Sequence, residues 1–136
     1  MVCIIQVVGF SGSGKTSSIV LASLKLKSLG FRVAVIKHTH HDVDSPHRDS
    51  WRFVEEGLAD YSVVFKGSGE RVAIIMRDRS LSDVINNLAS SVDVVLIEGF
   101  KDLDLGFKVE SSMKTVEELA EIIVSYAIRC IESRSL

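Results

Sequence analysis

A three-layer α/β fold, with a mostly parallel sheet and one antiparallel hairpin, is what this sequence predicts, on three observations. Short apolar, β-branched runs alternate with segments of helical periodicity, beginning with Cys3-Ile4-Ile5-Gln6-Val7-Val8. Buried parallel strands read in this way. A glycine-rich segment, Gly9 to Thr16, leaves the first run and opens the first helical segment. Further on, only Gly67-Ser68-Gly69 separates two strand-like runs. Three residues cannot make a crossover, so that pair must be a hairpin and the sheet mixed.

The elements follow in order. After the first strand, the spacing predicts a helix over Ser17–Leu29 that carries Val20, Leu21 and Leu24 and stops at Gly30. Arg32–Lys37 is the second strand, closing a right-handed βαβ unit. A polar loop runs from His38 to Ser45. Ser45 and Pro46 then read as N-cap and first position of a short helix ending near Gly57. The hairpin strands are Asp60–Lys66 and Glu70–Met76. Ser80 with Asp83 resembles a capping box for a helix reaching about Ser91, and Asp93–Glu98 is a further apolar strand. A short strand, Phe107–Glu110, precedes the last helix, which Thr115 and Glu118 cap. That helix presents Val116, Leu119, Ala120, Ile123, Ala127, Cys130 and Ile131 on one face. In such folds ligands sit beyond the carboxyl ends of the parallel strands.

Length and composition narrow the function. The 136 residues, 46% of them hydrophobic, fit one domain over residues 1–136 with a core of its own. A net charge of −2 offers no long-range attraction to nucleic acid or an anionic membrane, so neither is expected as a partner. No apolar stretch approaches the ~20 residues of a membrane span. The first residues lack a basic leader and read as a core strand. Cys3 and Cys130 are expected to be buried free thiols, in keeping with a reducing cytoplasm.

The chemistry begins at Gly9-Phe10-Ser11-Gly12-Ser13-Gly14-Lys15-Thr16. This G-x-x-x-x-G-K-[ST] pattern is the phosphate-binding loop of nucleoside triphosphatases, a nest of inward backbone N–H groups at a helix N-terminus. Gly9, Ser11, Gly12, Ser13, Gly14, Lys15, Thr16 and Ser17 are therefore the candidate nucleotide contacts. Lys15 is expected to reach the β- and γ-phosphates, and the Thr16 hydroxyl to ligate Mg²⁺. Glu98, at the tip of a buried strand, stands where such proteins place a magnesium-side carboxylate, and could orient an attacking water. Gly99 after it lets the backbone turn close to a phosphate. The His38/His40/His41 cluster reads as a polar loop near an anionic ligand rather than a zinc site, with no cysteine nearby. Asp49, Ser50 and Arg52 read as helix surface or as a segment sensing the γ-phosphate, with Asp49 a candidate catalytic group.

Together these stretches resemble the MobB family, the molybdopterin-guanine dinucleotide biosynthesis protein B group of phosphate-loop GTPases. The matching residues are Val8–Thr16, Lys37–Asp42, Arg48–Arg52 with Gly57-Leu58-Ala59, Gly69-Glu70-Arg71, and Val95–Lys101. The resemblance implies a GTP-binding accessory protein in molybdenum cofactor biosynthesis, using Mg²⁺ and hydrolysing GTP weakly. It also implies molybdopterin guanylyltransferase as a partner and molybdopterin as a candidate ligand. By residue, it places phosphate contacts on Ser11–Ser17 and a metal-side role on Thr16 and Glu98. It gives switch-like or pterin-facing roles to His38–Asp42 and Asp49–Arg52. Phe107-Lys108-Val109-Glu110 departs from the family's usual proline before lysine, and no N-K-x-D element reads guanine. A homodimer is a further candidate, with the hairpin and the Trp51 region as pairing surfaces. The alternative readings are a phosphate-loop kinase of a small molecule or nucleotide, and an interaction module stabilised by its nucleotide. A kinase needs a lid of basic residues, and only Lys101 and Lys108 follow Glu98 before Lys114.

Overall fold

The computed structural model describes residues 2–134. In chain order the elements are β1 (Cys3–Val8), α1 (Lys15–Ser28), β2 (Val33–Lys37), α2 (Asp49–Glu55), β3 (Tyr61–Lys66), β4 (Arg71–Met76), α3 (Leu81–Ala89), β5 (Val94–Glu98), β6 (Phe107–Glu110) and α4 (Val116–Arg134). They form two compact units. One holds the residues up to His38 with those from Ile85 onward, and the other is Thr39–Val84.

The first unit is built on a four-stranded sheet of order β2-β5-β1-β6, parallel throughout. Alternation of side chains sends Cys3, Ile5 and Val7, with Val94, Leu96 and Val109, to one face. There they meet Ile19, Ala22 and Leu26 of α1 and Leu119, Ala120, Ile123, Ala127 and Ile131 of α4. Gln6, Val95 and Ile97 take the opposite parity and are also fully buried. Burial on both faces explains why these strands read as continuous apolar runs. The cap on α4 forms as expected, the Glu118 amide donating to Thr115 Oγ1 at 3.0 Å.

In the second unit β3 and β4 pair antiparallel from Tyr61↔Met76 to Lys66↔Arg71. The hairpin is thus present, but as a two-stranded sheet of its own rather than a limb of the parallel one. Val54 of α2 and Ser62 of β3 are buried in this unit, and the Arg77 guanidinium donates to the Val54 carbonyl at 2.6 Å. Tyr61, Val63, Phe65, Val72 and Ile74 remain exposed.

Three expectations are corrected. The short helix begins at Asp49 with Arg48 as N-cap, not at Ser45-Pro46. The Ser45 amide donates to Asp44 Oδ1, the Arg48 amide returns to the Ser45 carbonyl, and His47 has φ +69°, so the chain turns there before any helix. Second, α1 does not bury Val20, Leu21 and Leu24, which are all exposed. Ser18 is buried instead, its hydroxyl donating to the carbonyls of Gly14 and Val116. With Ser18 held inward, Ile19, Ala22 and Leu26 form the packed stripe.

Third, the cysteines are not free: Cys3 and Cys130 form a disulfide. The far end of α4 lies over the start of β1, bringing the two Cα atoms to 5.9 Å, within bridging range. The pairing withdraws the thiol argument for a reducing compartment. Among the described residues no helix is long and apolar enough to cross a membrane.

Asp93 ties the entry of β5 to its neighbours. Its Oδ2 accepts from the Arg32 amide at 2.7 Å, and its Oδ1 from the Arg32 guanidinium at 3.3 Å, with Arg134 3.6 Å away. The Arg32 amide, then the guanidinium, hold the Asp93 carboxyl below its ordinary value. A depressed carboxyl contributes stability that is complete above about pH 4 and lost as pH falls through the folded value. Asp93→Asn is therefore expected to lower the unfolding midpoint at neutral pH and to converge with the parent in strong acid, in denaturant titrations across pH. Reducing the disulfide, or Cys130→Ser, should cost about 2–4 kcal/mol of unfolding free energy, read as a lower denaturant midpoint.

Candidate functional site

Parallel pairing aligns the carboxyl ends of β1, β2 and β5, with Val7 opposite Glu98 and Glu98 opposite Lys37. Three segments leave from this edge: the loop after Val8, the segment from His38, and Gly99 onward. The sequence-predicted groups Lys15, Thr16 and Glu98 all belong here.

The loop from Gly9 to Gly14 bends tightly, the Ser13 amide donating to the Phe10 carbonyl at 3.3 Å. Gly9 is demanded by contact as well as conformation. Its φ is +148°, and a Cβ there would lie 1.9 Å from Ser111 Oγ. Ser111, just beyond β6, fills that space and shares a 2.6 Å hydrogen bond with the Ser13 hydroxyl. Gly14, in left-handed conformation, is the N-cap of α1. No side chain caps this helix, so its first amides are left to an external acceptor. The first turn carries no acidic residue, which keeps the N-terminus favourable for an anion. Ser11, Gly12, Thr16 and Ser17 are exposed, and Ser13, Gly14 and Lys15 partly so.

Lys15 folds back over the loop, its ammonium donating to the Gly9 carbonyl. The Thr16 hydroxyl donates to both Glu98 oxygens, at 3.0 and 3.1 Å. The exposed Thr16 hydroxyl in contact with the half-buried Glu98 carboxylate forms a hard-oxygen donor set suited to Mg²⁺. The residues present therefore fit a magnesium-bound nucleotide.

The loop that carries Glu98 is fixed by a residue that sequence reading passed over. Gln6, fully buried in β1, donates from Nε2 to the carbonyls of Gly99 (3.0 Å) and Phe100 (2.8 Å). Its Oε1 accepts from the Leu105 amide at 3.1 Å. One side chain thus satisfies three backbone groups of a single loop. Phe100 is held at φ +54°, an uncommon conformation for an aromatic residue, and its ring stacks on His38 at 4.2 Å and 15°. At Gly99, φ +104°, a Cβ would crowd His38 Cβ at 3.0 Å as well as strain the backbone. A lone polar residue inside an otherwise apolar strand was the signal that could have found Gln6.

Asp49 belongs to the second unit, in the first turn of α2. So does Arg52, whose guanidinium is engaged with Glu56 at 2.8 and 3.1 Å, raising its own pKa and lowering that of Glu56. Trp51 is half-buried against His47 rather than freely exposed. Of the histidines, His38 stacks in the first unit while His40 and His41 lie in the second. Among the described residues no group of three His, Cys, Asp or Glu side chains could hold a metal ion.

Residues 4–126 match the family model described as "Molybdopterin guanine dinucleotide synthesis protein B". The chain is 38% identical over 105 residues to the molybdopterin-guanine dinucleotide biosynthesis adapter protein of Haemophilus influenzae, covering 72% of this chain and 57% of that one. Against the protein of the same name from Escherichia coli it is 33% identical over 109 residues, covering 74% and 61%. It thus spans less than two-thirds of the length of either relative. The crystal structure of Bacillus subtilis MobB superposes with a TM-score of 0.63 at 27% identity, covering 85% of this chain and 71% of that one.

If Gln6 supports the Glu98 loop as described, Gln6→Leu strands two carbonyls and one amide. The expected loss is about 1–3 kcal/mol of unfolding free energy for each group left without a partner, measured by urea titration.

Proposed function

The chain belongs to the molybdopterin guanine dinucleotide synthesis protein B family, and we propose that it is a GTP-binding adaptor in molybdenum cofactor biosynthesis, with slow, Mg²⁺-dependent hydrolysis. The observation that carries this reading is the Thr16–Glu98 contact beside an uncapped helix N-terminus and a lysine already lodged in the loop. The amides of residues 11–17 bind the phosphate chain, and the Lys15 ammonium exchanges the Gly9 carbonyl for β- and γ-phosphate oxygens. Thr16 and Glu98 are the residues that would hold magnesium, which neutralises phosphate charge when bound. Glu98 would also accept a hydrogen bond from the attacking water; Asp49, in the second unit, is kept as the other candidate catalytic group. The choice of guanine rests on family membership.

Slow turnover follows from what is missing at the site. No arginine lies in the phosphate loop or between Glu98 and Thr115, and Arg52 is already paired with Glu56. A phosphate-loop GTPase without an arginine finger turns over at about 10⁻⁴–10⁻³ s⁻¹. A kinase reading is weaker. Lys108, one of the two lysines it would need, is bound to the Lys101 carbonyl and to Asp104, each at 3.0 Å. Residues 39–84 read as an insertion between β2 and β5 of one nucleotide-binding domain. Molybdopterin guanylyltransferase as partner, a molybdopterin ligand, a homodimer and a cytoplasmic setting belong to the same reading; the adapter name of the relatives supports only a protein partner in cofactor biosynthesis.

Competition of labelled GTP by ATP, GDP and pterins, with and without Mg²⁺, tests base choice, phosphate count and metal need together. Lys15→Ala is expected to weaken GTP binding by about 2–3 kcal/mol, roughly thirty- to hundredfold. Glu98→Gln should retain nucleotide but lose most of the Mg²⁺ dependence. Unchanged GTP affinity in Lys15→Ala would end the proposal.

A further inference from the structure

α1 is apolar on two sides, and the core takes only one. On the other, Leu21 lies 40% exposed beside α4, and Val20 and Leu24 extend the apolar surface along α1. Between the two helices runs an open groove of about 670 Å³, floored by Leu21, Ala120, Val124 and Ile128. A lone exposed apolar residue is ordinary, but a strip shared by two packed helices marks an interaction surface.

The charges at its ends show what kind of partner fits. The two helices run the same way, since the Ser18 hydroxyl donates to the Val116 carbonyl and a Cβ on Gly14 would lie 3.1 Å from Val116. Glu117 and Glu121 therefore line the end nearest the phosphate loop, and Lys25 and Arg129 the far end. All four are exposed, and among the described residues none of them makes a salt bridge. Glu117 and Glu121 stand at i and i+4 on α4, a like-charge spacing that destabilises a helix. The dipole of α4 favours Glu117 in its first turn, but Glu121 lies beyond that turn, and Arg129 lies short of the last one. Each end thus repels itself until opposite charge arrives from outside.

We propose that this groove docks one amphipathic helix of a partner protein, its acidic first turn against Lys25 and Arg129 and its basic last turn against Glu117 and Glu121. Helices commonly carry charge in that sense, because each end complements its own dipole. The docked helix then runs antiparallel to both α1 and α4, with its dipole opposed to theirs. Charge and dipole choose the same direction, while the apolar middle supplies the driving force. Glu117 to Arg129 spans about 18 Å of helix, so a partner of about three to four turns fills the groove. Its residues at i, i+3, i+4 and i+7 would cover Leu21, Val124 and Ile128. The short side chains of Ala120 and Ser125 let its backbone approach closely. None of this rests on the nucleotide reading, and the test contains no nucleotide.

Fluorescence anisotropy with the full chain reads the docking directly. The probe is a labelled synthetic peptide of about sixteen residues, acetylated and amidated to remove terminal charge. It carries leucines at i, i+3, i+4 and i+7, glutamates in its first turn and lysines in its last. A second peptide has the two charged ends exchanged. The expected result is saturable binding of the first peptide, at least roughly tenfold tighter than the second. Leu21→Glu should weaken that binding at least roughly tenfold. Reversing the groove, by Lys25→Glu and Arg129→Glu together with Glu117→Lys and Glu121→Lys, should make the second peptide the tighter one. Melting curves of each variant separate loss of docking from loss of fold. Absence of saturable binding, binding that survives Leu21→Glu, or a preference unmoved by the four-residue reversal would each overturn the assignment. Equal binding of the two peptides would also overturn it, making the groove an unselective apolar surface open to other occupants.

Discussion

Parallel strand pairing is the constraint on which the rest depends. Because β2, β5, β1 and β6 all run the same way, their carboxyl ends and the loops that leave them arrive at one edge. The start of α1 is delivered there with its amides unclaimed, and Glu98 arrives from the adjacent strand within reach of Thr16. No long-range charge is needed to gather an anion when backbone dipoles converge in this way. Alignment alone, however, does not fix a loop. Gln6 does that from inside the sheet by pairing the carbonyls of Gly99 and Phe100. The cost of burying an amide side chain is offset because all its polar atoms find partners.

Much of this was legible in the residues. The glycine spacing from Gly9 to Lys15, the strand before it and the helix after it are local features, and local features survive folding. The caps at Ser80 and Thr115 formed as read, with amide bonds of 3.0 Å from Asp83 and Glu118. What escaped reading was set by partners distant in the chain. Ser111 shapes the loop at Gly9 from about a hundred residues away, and Cys3 finds Cys130 at a separation of 127. The facing of α1 is the clearest case. Its sequence is apolar on two sides, so periodicity could not choose between Val20-Leu21-Leu24 and Ile19-Ala22-Leu26. The Ser18 contact to α4 made the choice. At α2 the failure was local, because Asp44 accepts from the Ser45 amide and the Arg48 amide returns to the Ser45 carbonyl, turning the chain before the helix starts.

On the proposed reading the site holds a ligand more than it transforms one. Lys15 is the cation lodged in the loop, and Lys108, in the same unit, is occupied by Asp104. On the proposed reading the protein works through the surfaces it presents, and both units carry exposed apolar side chains. The proposed adaptor role and the outward strip of α1 are consistent on this point. A carrier of binding energy needs somewhere to transmit it.

The bridge between Cys3 and Cys130 has a topological consequence. Covalently, residues 3–130 become a ring. A single cut in the exposed turn at Gly67-Ser68-Gly69 would open that ring without freeing a fragment. Such a nicked molecule would keep its mass and travel as one species until a thiol reagent separated the halves. Damage at this exposed turn would thus go unseen by size under non-reducing conditions.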